Sequence, residues 1–279
     1  MNLFEQTIQK ALQYNKNYSS LRTVVEKEVM HHDILRAMNN EGYLKNLTFI
    51  GGTCLRLCYG SQRLSEDLDF SSSFNFNKKE LSSLPKILQE TFLKKYNFKI
   101  EVSEPIKESG DTKTWKIKII TRQEKKNLPL QRINIDIVML PSYNKQPVML
   151  KNYYGIDSGT SGLILFAESL EEIFVDKIIA VAFRLNRVKN RDLWDIFWLY
   201  RQNIELNKKL LKQKLSDRKI DYADFFNKYN NRIKEIENSQ KVFLDEMKRF
   251  LAPVAFDDTF TSYLWWQQLI LVLKNIVKF

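Results

Sequence analysis

The stretch FIGGTCLRLCYGSQRLSEDLDF, residues 49–70, combines two adjacent glycines, a short apolar run and two alternating carboxylates. The 279-residue chain contains only eight glycines, so this side-by-side pair suggests a backbone requirement. Apolar residues before the pair are typical of a strand, and the run after it is typical of a helix. The stretch therefore predicts a strand, a glycine turn and a helix, followed by a second strand at Leu68–Ser71.

The two carboxylates of this stretch, Asp67 and Asp69, lie two positions apart at the second predicted strand. Their side chains should project from one face of the strand while Leu68 and Phe70 point into the core. Adjacent carboxylates repel each other unless a cation neutralises them, and hard divalent ions such as Mg²⁺ bind carboxylate oxygens. Asp-x-Asp also occurs at solvated strand ends, so the pair alone indicates a candidate metal site only.

A third carboxylate, Asp136, lies in the segment Arg132–Val138, where isoleucines alternate with polar residues. This alternation predicts a strand whose isoleucines share one face and whose Asp136 points to the other. If the strand pairs with that of Asp69, the three carboxylates converge and suit one or two Mg²⁺ or Mn²⁺ ions that hold nucleotide phosphates. The alternative interpretation of Asp136 is an ordinary residue on a solvent-facing side of the sheet.

Gly51 and Gly52 lie between the first predicted strand and the helix. Without side chains they would let backbone N–H groups approach a triphosphate at the helix N-terminus. Thr53 is predicted to cap this helix and to add a hydroxyl to the nucleotide site. The alternative explanation of the glycines is a tight turn that requires a positive φ.

Arg63 and Ser65 precede the two aspartates by a few residues and are further candidates for nucleotide binding. An ion pair of Arg63 with Glu66 or another acid is an equally good interpretation. The Ser65 hydroxyl is expected to cap the turn. A second hypothesis makes Ser65 the acceptor of a nucleotide or phosphate that silences the protein.

Hydrophobic spacing outside this stretch predicts the remaining elements. Helices are predicted at about residues 2–15, 20–41 and 81–96, and strands at residues 98–103, 114–121 and 132–139. The β part is expected to end near Pro141, with a loop at Asn152–Gly162 and helices beyond it. The predicted fold is α+β, a mixed β-sheet flanked by helices with a mostly helical C-terminal region. The predicted domains are residues 1–162, the core with its N-terminal helices, and residues 163–279, the helical region that completes the active-site cleft.

The composition limits the class of protein and its partners. The formal net charge is +11, which favours a polyanionic partner, although scattered lysines on solvated helix faces produce the same excess. The sequence contains no run of eighteen apolar residues and no recognisable secretory signal, so we expect no membrane partner and a cytoplasmic location. Cys54 and Cys58 lie four positions apart in an apolar helical pattern and are expected to be buried, reduced thiols.

These motifs resemble the AbiEii/AbiGii-type toxin nucleotidyltransferases, within the DNA polymerase β-like nucleotidyltransferase superfamily. The resemblance rests on residues 51–59, on the Arg-x-Ser-x-Asp-x-Asp-Phe motif of residues 63–70 and on Ile135–Ile137. It continues through residues 172–184 and 191–199, and covers about residues 45–200.

The resemblance implies a nucleotidyltransferase fold and a metal-dependent reaction. A nucleoside monophosphate would pass from a nucleoside triphosphate (ATP, GTP, CTP or UTP) to an acceptor, pyrophosphate would leave, and Asp67 and Asp69 would hold the ions. Some relatives are toxins of toxin–antitoxin or abortive-infection systems, and some modify the acceptor end of tRNA. The resemblance therefore implies RNA, at the tRNA 3′ end, as acceptor and an antitoxin as a further partner.

The family's lysine maps to Lys177 and its late aspartate to Asp195, with Asp192 as an alternative in that role. The sequence around Lys177 is consistent with this role. A lysine within the apolar helical segment Ile173–Phe183 needs an anion or a route to water. Asp192 also follows Asn190, a predicted N-cap, where the helix dipole favours a carboxylate. Asp195 is expected at the nucleotide or at Lys177, which it would orient.

Alternatives remain for both the acceptor and the class of protein. A protein hydroxyl or a small molecule is a second class of acceptor. Glycosyltransferases that use nucleotide-sugars also hold their metal with Asp-x-Asp, but do not ordinarily need a glycine turn just upstream. A non-catalytic nucleic-acid-binding protein would rely on the positive charge and on the tryptophans Trp194, Trp198, Trp265 and Trp266, although their helical spacing favours core packing.

Overall fold

A computed structural model describes residues 2–106, 110–121 and 130–278. The chain divides into two compact units, residues 1–168 and residues 169–279. The first unit contains the β-sheet, and the second is helical. The predicted boundary at 162/163 precedes the last strand, which the structure includes in the first unit.

The helices of the first unit pack on the sheet. Along the chain they lie before the first strand or between strands. They are α1 (Leu3–Tyr14), α2 (Arg22–Asn40), α3 (Gly51–Cys54) and α4 (Leu84–Tyr96), and α3 continues as a π-helical turn at Leu55–Tyr59. Short 3₁₀ turns lie at Lys16–Leu21, Tyr43–Lys45 and Lys78–Leu81. The N-terminal helices therefore form where hydrophobic spacing predicts them, and α2 ends just before Gly42, which adopts a φ of +75°.

The sheet is mixed, as predicted. Its strands are β1 (Thr48–Ile50), β2 (Leu68–Ser71), β3 (Ile100–Ser103), β4 (Thr112–Ile119), β5 (Gln131–Val138), β6 (Lys145–Met149) and β7 (Ile164–Glu168). They are ordered β3-β4-β5-β2-β1-β7-β6, with β2/β5 and β1/β7 parallel and the other pairs antiparallel. Two strands near the middle of this order, β2 and β5, carry Asp69 and Asp136.

The expectation that the β part ends near Pro141 is wrong, because β6 and β7 follow it. Strand β6 lies at the edge of the sheet and most of its residues are exposed, so its sequence shows no apolar alternation. It also contains Pro147, which suggests a loop in a sequence but is tolerated at a sheet edge.

The second unit packs around one apolar helix. Its helices are α5 (Leu170–Phe183), α6 (Asn190–Arg201), α7 (Lys208–Asp217), α8 (Tyr222–Ile236), α9 (Gln240–Met247), α10 (Asp258–Thr261) and α11 (Tyr263–Ile276), with a 3₁₀ turn at Pro253–Ala255. Helix α5 contacts α6, α7 and α8. Its Ser169 hydroxyl accepts a hydrogen bond from the Glu172 amide and caps the helix. Trp265 and Trp266 are buried, so these two tryptophans belong to the core.

Asn190 is not the N-cap of α6, which differs from the prediction. Asn190 is the first residue of α6, Lys189 occupies the N-cap position, and the Asn190 amide donates instead to the Glu246 carboxylate at 3.0 Å. Tertiary contact with α9 therefore takes the side chain that local sequence assigns to capping. No helix in the described part of the chain is long and apolar enough to cross a membrane.

Candidate active site

Strands β2 and β5 place two of the predicted carboxylates side by side. The parallel register pairs Leu68 with Ile135 and Asp69 with Asp136. Ile135 is fully buried, whereas Asp69 and Asp136 are partly exposed. Since register partners in a sheet point to the same face, both carboxylates project from the side opposite the isoleucines. The condition under which Asp136 comes beside Asp69, the pairing of these two strands, is therefore met.

Asp67, directly before β2, is attached to the same neighbouring strand. Its Oδ1 accepts a hydrogen bond from the Asn134 amide at 3.1 Å, and its backbone carbonyl accepts one from the Thr53 hydroxyl. One oxygen of the Asp67 carboxylate is thus held against β5, the strand that carries Asp136. Within the described ranges no group of three or more His, Cys, Asp or Glu side chains is arranged to hold a metal ion.

The carboxylates nevertheless fit a Mg²⁺ ion that arrives with a nucleotide. Mg²⁺ keeps several waters and is usually bound by one or two carboxylates together with substrate phosphates, rather than by an all-protein cage. Asp69 and Asp136 supply two such carboxylates on adjacent strands. The donor chemistry matches the ion, and the remaining positions would be left to phosphate and water oxygens.

Gly51 and Gly52 are explained by the side chains that lie against them. Gly51 has a φ of +76°, and a Cβ at this position would lie 2.7 Å from Oδ2 of Asp69. A Cβ on Gly52 would lie 2.2 Å from Nη2 of Arg63. The turn interpretation therefore holds for Gly51, and both glycines leave room for candidate site residues.

Thr53, Arg63 and Ser65 are buried and fix the chain that leads to Asp67. The Thr53 hydroxyl lies 2.7 Å from the Ser65 hydroxyl. The prediction that Thr53 caps α3 is wrong. Ile50 occupies the N-cap position, and Thr53 lies inside the helix. Arg63 donates to the Leu64 carbonyl at 2.9 Å.

In the second unit Lys177 joins the two predicted aspartates of α6. Its ammonium lies 2.8 Å from Oδ1 of Asp192 and 2.8 Å from Oδ2 of Asp195. Arg184 adds a second cation, with Nε 2.7 Å from Oδ2 of Asp192. The expected contact of Asp195 with Lys177 is present. Arg184 was not among the predicted site residues, although its position seven residues after Lys177 places it on the same helical side.

The electrostatics of this cluster are decided by burial and by two cations. Burial favours the neutral form of Asp192, but Lys177 and then Arg184 outweigh it and hold the pKa of Asp192 well below its ordinary value. Asp192 is therefore ionised at neutral pH. Two cations balance two carboxylates, which stabilises a charged cluster in a buried position.

The predicted residues thus fall into two sets. The first unit contains the three carboxylates together with Gly51, Gly52, Thr53, Arg63 and Ser65. The second unit contains Lys177, Asp192 and Asp195.

Comparisons with known proteins identify the family of the chain. Residues 33–263 match the family model described as nucleotidyl transferase AbiEii toxin, type IV TA system. None of the curated protein sequences matches the chain.

A search of solved structures finds similar proteins from several organisms. MenT4, a nucleotidyltransferase toxin from Mycobacterium tuberculosis, is 13% identical, with a TM-score of 0.60 over 99% of this chain and 89% of its own. JHP933 from Helicobacter pylori is 17% identical, with a TM-score of 0.48 over 90% and 91%. An antigenic nucleotidyltransferase-like protein from Paracoccidioides brasiliensis is 14% identical, with a TM-score of 0.40 over 82% and 96%. MenT4 supports the fold, and the family match covers most of the chain, so the protein belongs to the AbiEii family of nucleotidyltransferase toxins of type IV toxin–antitoxin systems.

Proposed function

We propose that this nucleotidyltransferase moves a nucleoside monophosphate from a nucleoside triphosphate to the 3′ end of tRNA, with Mg²⁺ as its cofactor. It would act in the cytoplasm as a toxin controlled by an antitoxin. The observation that supports this best is the register of Asp69 with Asp136, beside a glycine turn that leaves room for the Asp69 carboxylate.

The residues of the first unit would share the work of the reaction. Asp69 and Asp136, with Asp67 beside them, would hold the ion, which when bound neutralises phosphate charge and activates the attacking hydroxyl. The acceptor oxygen would form a bond to the α-phosphorus while the bond to the β-phosphate oxygen breaks and pyrophosphate leaves. Asp136 would take the proton of the acceptor hydroxyl. The backbone at Gly51 and Gly52 would face the phosphates.

The second unit contains a further candidate for phosphate binding. We propose that the Lys177 ammonium binds phosphate, with Asp195 and Asp192 holding it in one orientation. A lysine held by two carboxylates cannot swing freely, so its donors are preorganised for an anion.

A cationic loop between α5 and α6 supports RNA as the acceptor. Residues 184–189 contain Arg184, Arg187 and Lys189, and no acidic residue. Arg187 is exposed, and the neighbouring Leu185 is 96% exposed. Cations presented in this way bind phosphates of a nucleic-acid backbone. Since α6 leads directly from this loop to Asp192, the loop adjoins the Lys177 cluster within the same unit.

For this loop we expect Arg187→Ala to weaken tRNA binding about threefold and to reduce the slope of log affinity against log salt by about one. The measurement is filter binding of tRNA between 50 and 200 mM salt, roughly the range over which phosphate contacts change affinity most. Lys86→Ala, at another exposed cation, on α4, serves as the control. An unchanged slope in Arg187→Ala would remove this loop from the RNA-binding surface.

The proposed reaction is tested by incubating the protein with Mg²⁺, total tRNA and each of four labelled ribonucleoside triphosphates in turn. Label should move into RNA, only with Mg²⁺ or Mn²⁺ and not with EDTA, and one triphosphate should be preferred. Asp69→Ala is the inactive control. Label on the protein itself, or transfer only to small molecules, would contradict tRNA as the acceptor, and failure to bind any triphosphate would contradict the proposal as a whole.

A further inference from the structure

The chain immediately before Asp67 lies in neither a helix nor a strand. Residues 63–67 form no regular structure, yet Arg63, Leu64 and Ser65 are buried. Buried backbone groups of an irregular segment must find hydrogen-bond partners outside regular secondary structure. In this protein two of these partners come from one helix, α2, which is distant in sequence.

Three side chains of α2 contact two consecutive residues of this segment. Oε1 of Glu28 accepts a hydrogen bond from the Ser65 amide at 3.0 Å. Nε2 of His31 lies 3.0 Å from the Glu66 carbonyl oxygen, and Nζ of Lys27 lies 2.8 Å from Oε1 of Glu66. Helix α2 therefore holds Ser65 by its amide, and Glu66 by both its carbonyl and its carboxylate.

The two buried members of this group are Glu28, which further contacts fix, and His31. Glu28 is fully buried, with Nε of Arg56 3.3 Å from its Oε2 and the Tyr154 hydroxyl donating to the same oxygen. A carbonyl only accepts hydrogen bonds, so Nε2 of His31 must carry the proton in this contact. Burial lowers the pKa of His31 to about 3, so the imidazole is neutral at pH 7 and donates a single N–H.

We infer that His31 and Lys27 are positioning residues for the carboxylates of the nucleotidyl-transfer site, acting through Glu66. Asp67 follows Glu66 directly, and Asp69 pairs with Asp136 two residues later. A shift of the Glu66 backbone would therefore move Asp67 against Asn134 and change how Asp69 enters the pair. The consequence for catalysis rests on the proposed function, whereas the mechanical role of α2 does not.

Variants of His31 test this role without removing a buried charge. His31→Leu removes the N–H donor and keeps an apolar side chain, whereas His31→Gln retains an N–H donor at a similar distance from the backbone. The first measurement is hydrogen–deuterium exchange of the amides of residues 64–69. We expect exchange to rise about fivefold to tenfold in His31→Leu, as loss of one hydrogen bond implies, and to return toward wild type in His31→Gln.

The second measurement is binding of Mn²⁺ in the presence of a non-hydrolysable triphosphate, followed by electron paramagnetic resonance. We expect about a fivefold loss of Mn²⁺ affinity in His31→Leu and restoration in His31→Gln. Lys27→Met, at a more exposed side chain, should show a smaller loss of the same kind, and Lys27→Arg should restore binding. These variants keep the test available should His31→Leu fail to fold.

Two results would overturn the inference. Unchanged exchange at residues 64–69 in both His31→Leu and Lys27→Met would show that α2 does not hold this segment. Increased exchange spread evenly over the first unit would show that the contacts stabilise the fold in general. Neither result depends on turnover, so failure of this inference is distinguishable from failure of the proposed reaction.

Discussion

Replacement of Asp69 by asparagine is expected to lower the rate of nucleotidyl transfer about 10³-fold while leaving the protein folded. Asparagine keeps the size of the side chain but removes the negative charge opposite Asp136. The side chain is partly exposed, so its removal should change the free energy of unfolding by less than about 1 kcal/mol. Transfer of labelled nucleotide and thermal unfolding are measured on the same preparation.

Glu101→Gln is the matched control for this prediction. Glu101 is a carboxylate of the same sheet, on β3, where its side chain is 75% exposed and pairs with Lys118. It should leave the rate within about twofold of wild type. Asp136→Asn should resemble Asp69→Asn, and the double variant should lose little more than either single one, because the two carboxylates act as a unit. Should Asp69→Asn retain a tenth of the wild-type rate, the metal-binding role of the pair would be refuted.

Replacement of Lys177 by methionine is expected to destabilise the protein by about 3 kcal/mol at pH 7 and to abolish nucleotide transfer. The lysine is the cation shared by Asp192 and Asp195, whose side chains are 3% and 0% exposed. Methionine fills most of the space but leaves two buried carboxylates with Arg184 as the remaining cation of this group. Chemical denaturation of both proteins measures the difference, provided that unfolding is reversible.

The pH dependence of this difference identifies its electrostatic origin. In the wild type the pKa of Asp192 is lowered on folding, so its stabilising contribution is present above about pH 4 and is lost only as the pH falls through the folded value. Without Lys177, the largest attraction that opposes the effect of burial is lost, so burial should raise the pKa of Asp192. The variant should therefore bind protons on folding, and its deficit should shrink as the pH falls from 7 to 4.

Lys228→Met provides the comparison, since Lys228 pairs with Asp224 on the exposed face of α8. It should cost less than about 0.5 kcal/mol, with little pH dependence. A deficit for Lys177→Met as small as this, or one that grows toward acid pH, would contradict the view that Lys177 holds the cluster together.

Much of the fold follows from local pattern. Strand β2 has the predicted bounds, Leu68–Ser71, because its apolar residues alternate with Asp69 over the whole element. The alternating isoleucines of β5 likewise indicate the face of Asp136. Periods of two and of about 3.6 residues are set by backbone geometry, so such elements can be recognised without knowledge of their neighbours.

Local pattern failed where a tertiary contact decided the outcome. Strand β6 was missed because an edge strand needs no buried face, and Thr53 and Asn190 were assigned to caps although each bonds a distant residue instead. The roles of Lys27, Glu28 and His31 gave no recognisable signal, since a helix facing an irregular segment has the same periodicity as a helix facing a core.

The sequence by itself determined the α+β class, the strands of the aspartates and the identity of the candidate residues, since these depend on residue type and spacing along the chain. Only the tertiary structure decided that Asp69 pairs with Asp136, that Asp69 and Arg63 lie against the two glycines, and that α2 holds the segment before Asp67. Hydrophobic alternation states which face of a strand is buried but not which strand lies beside it. That choice depends on packing between segments far apart in sequence, which no local pattern encodes.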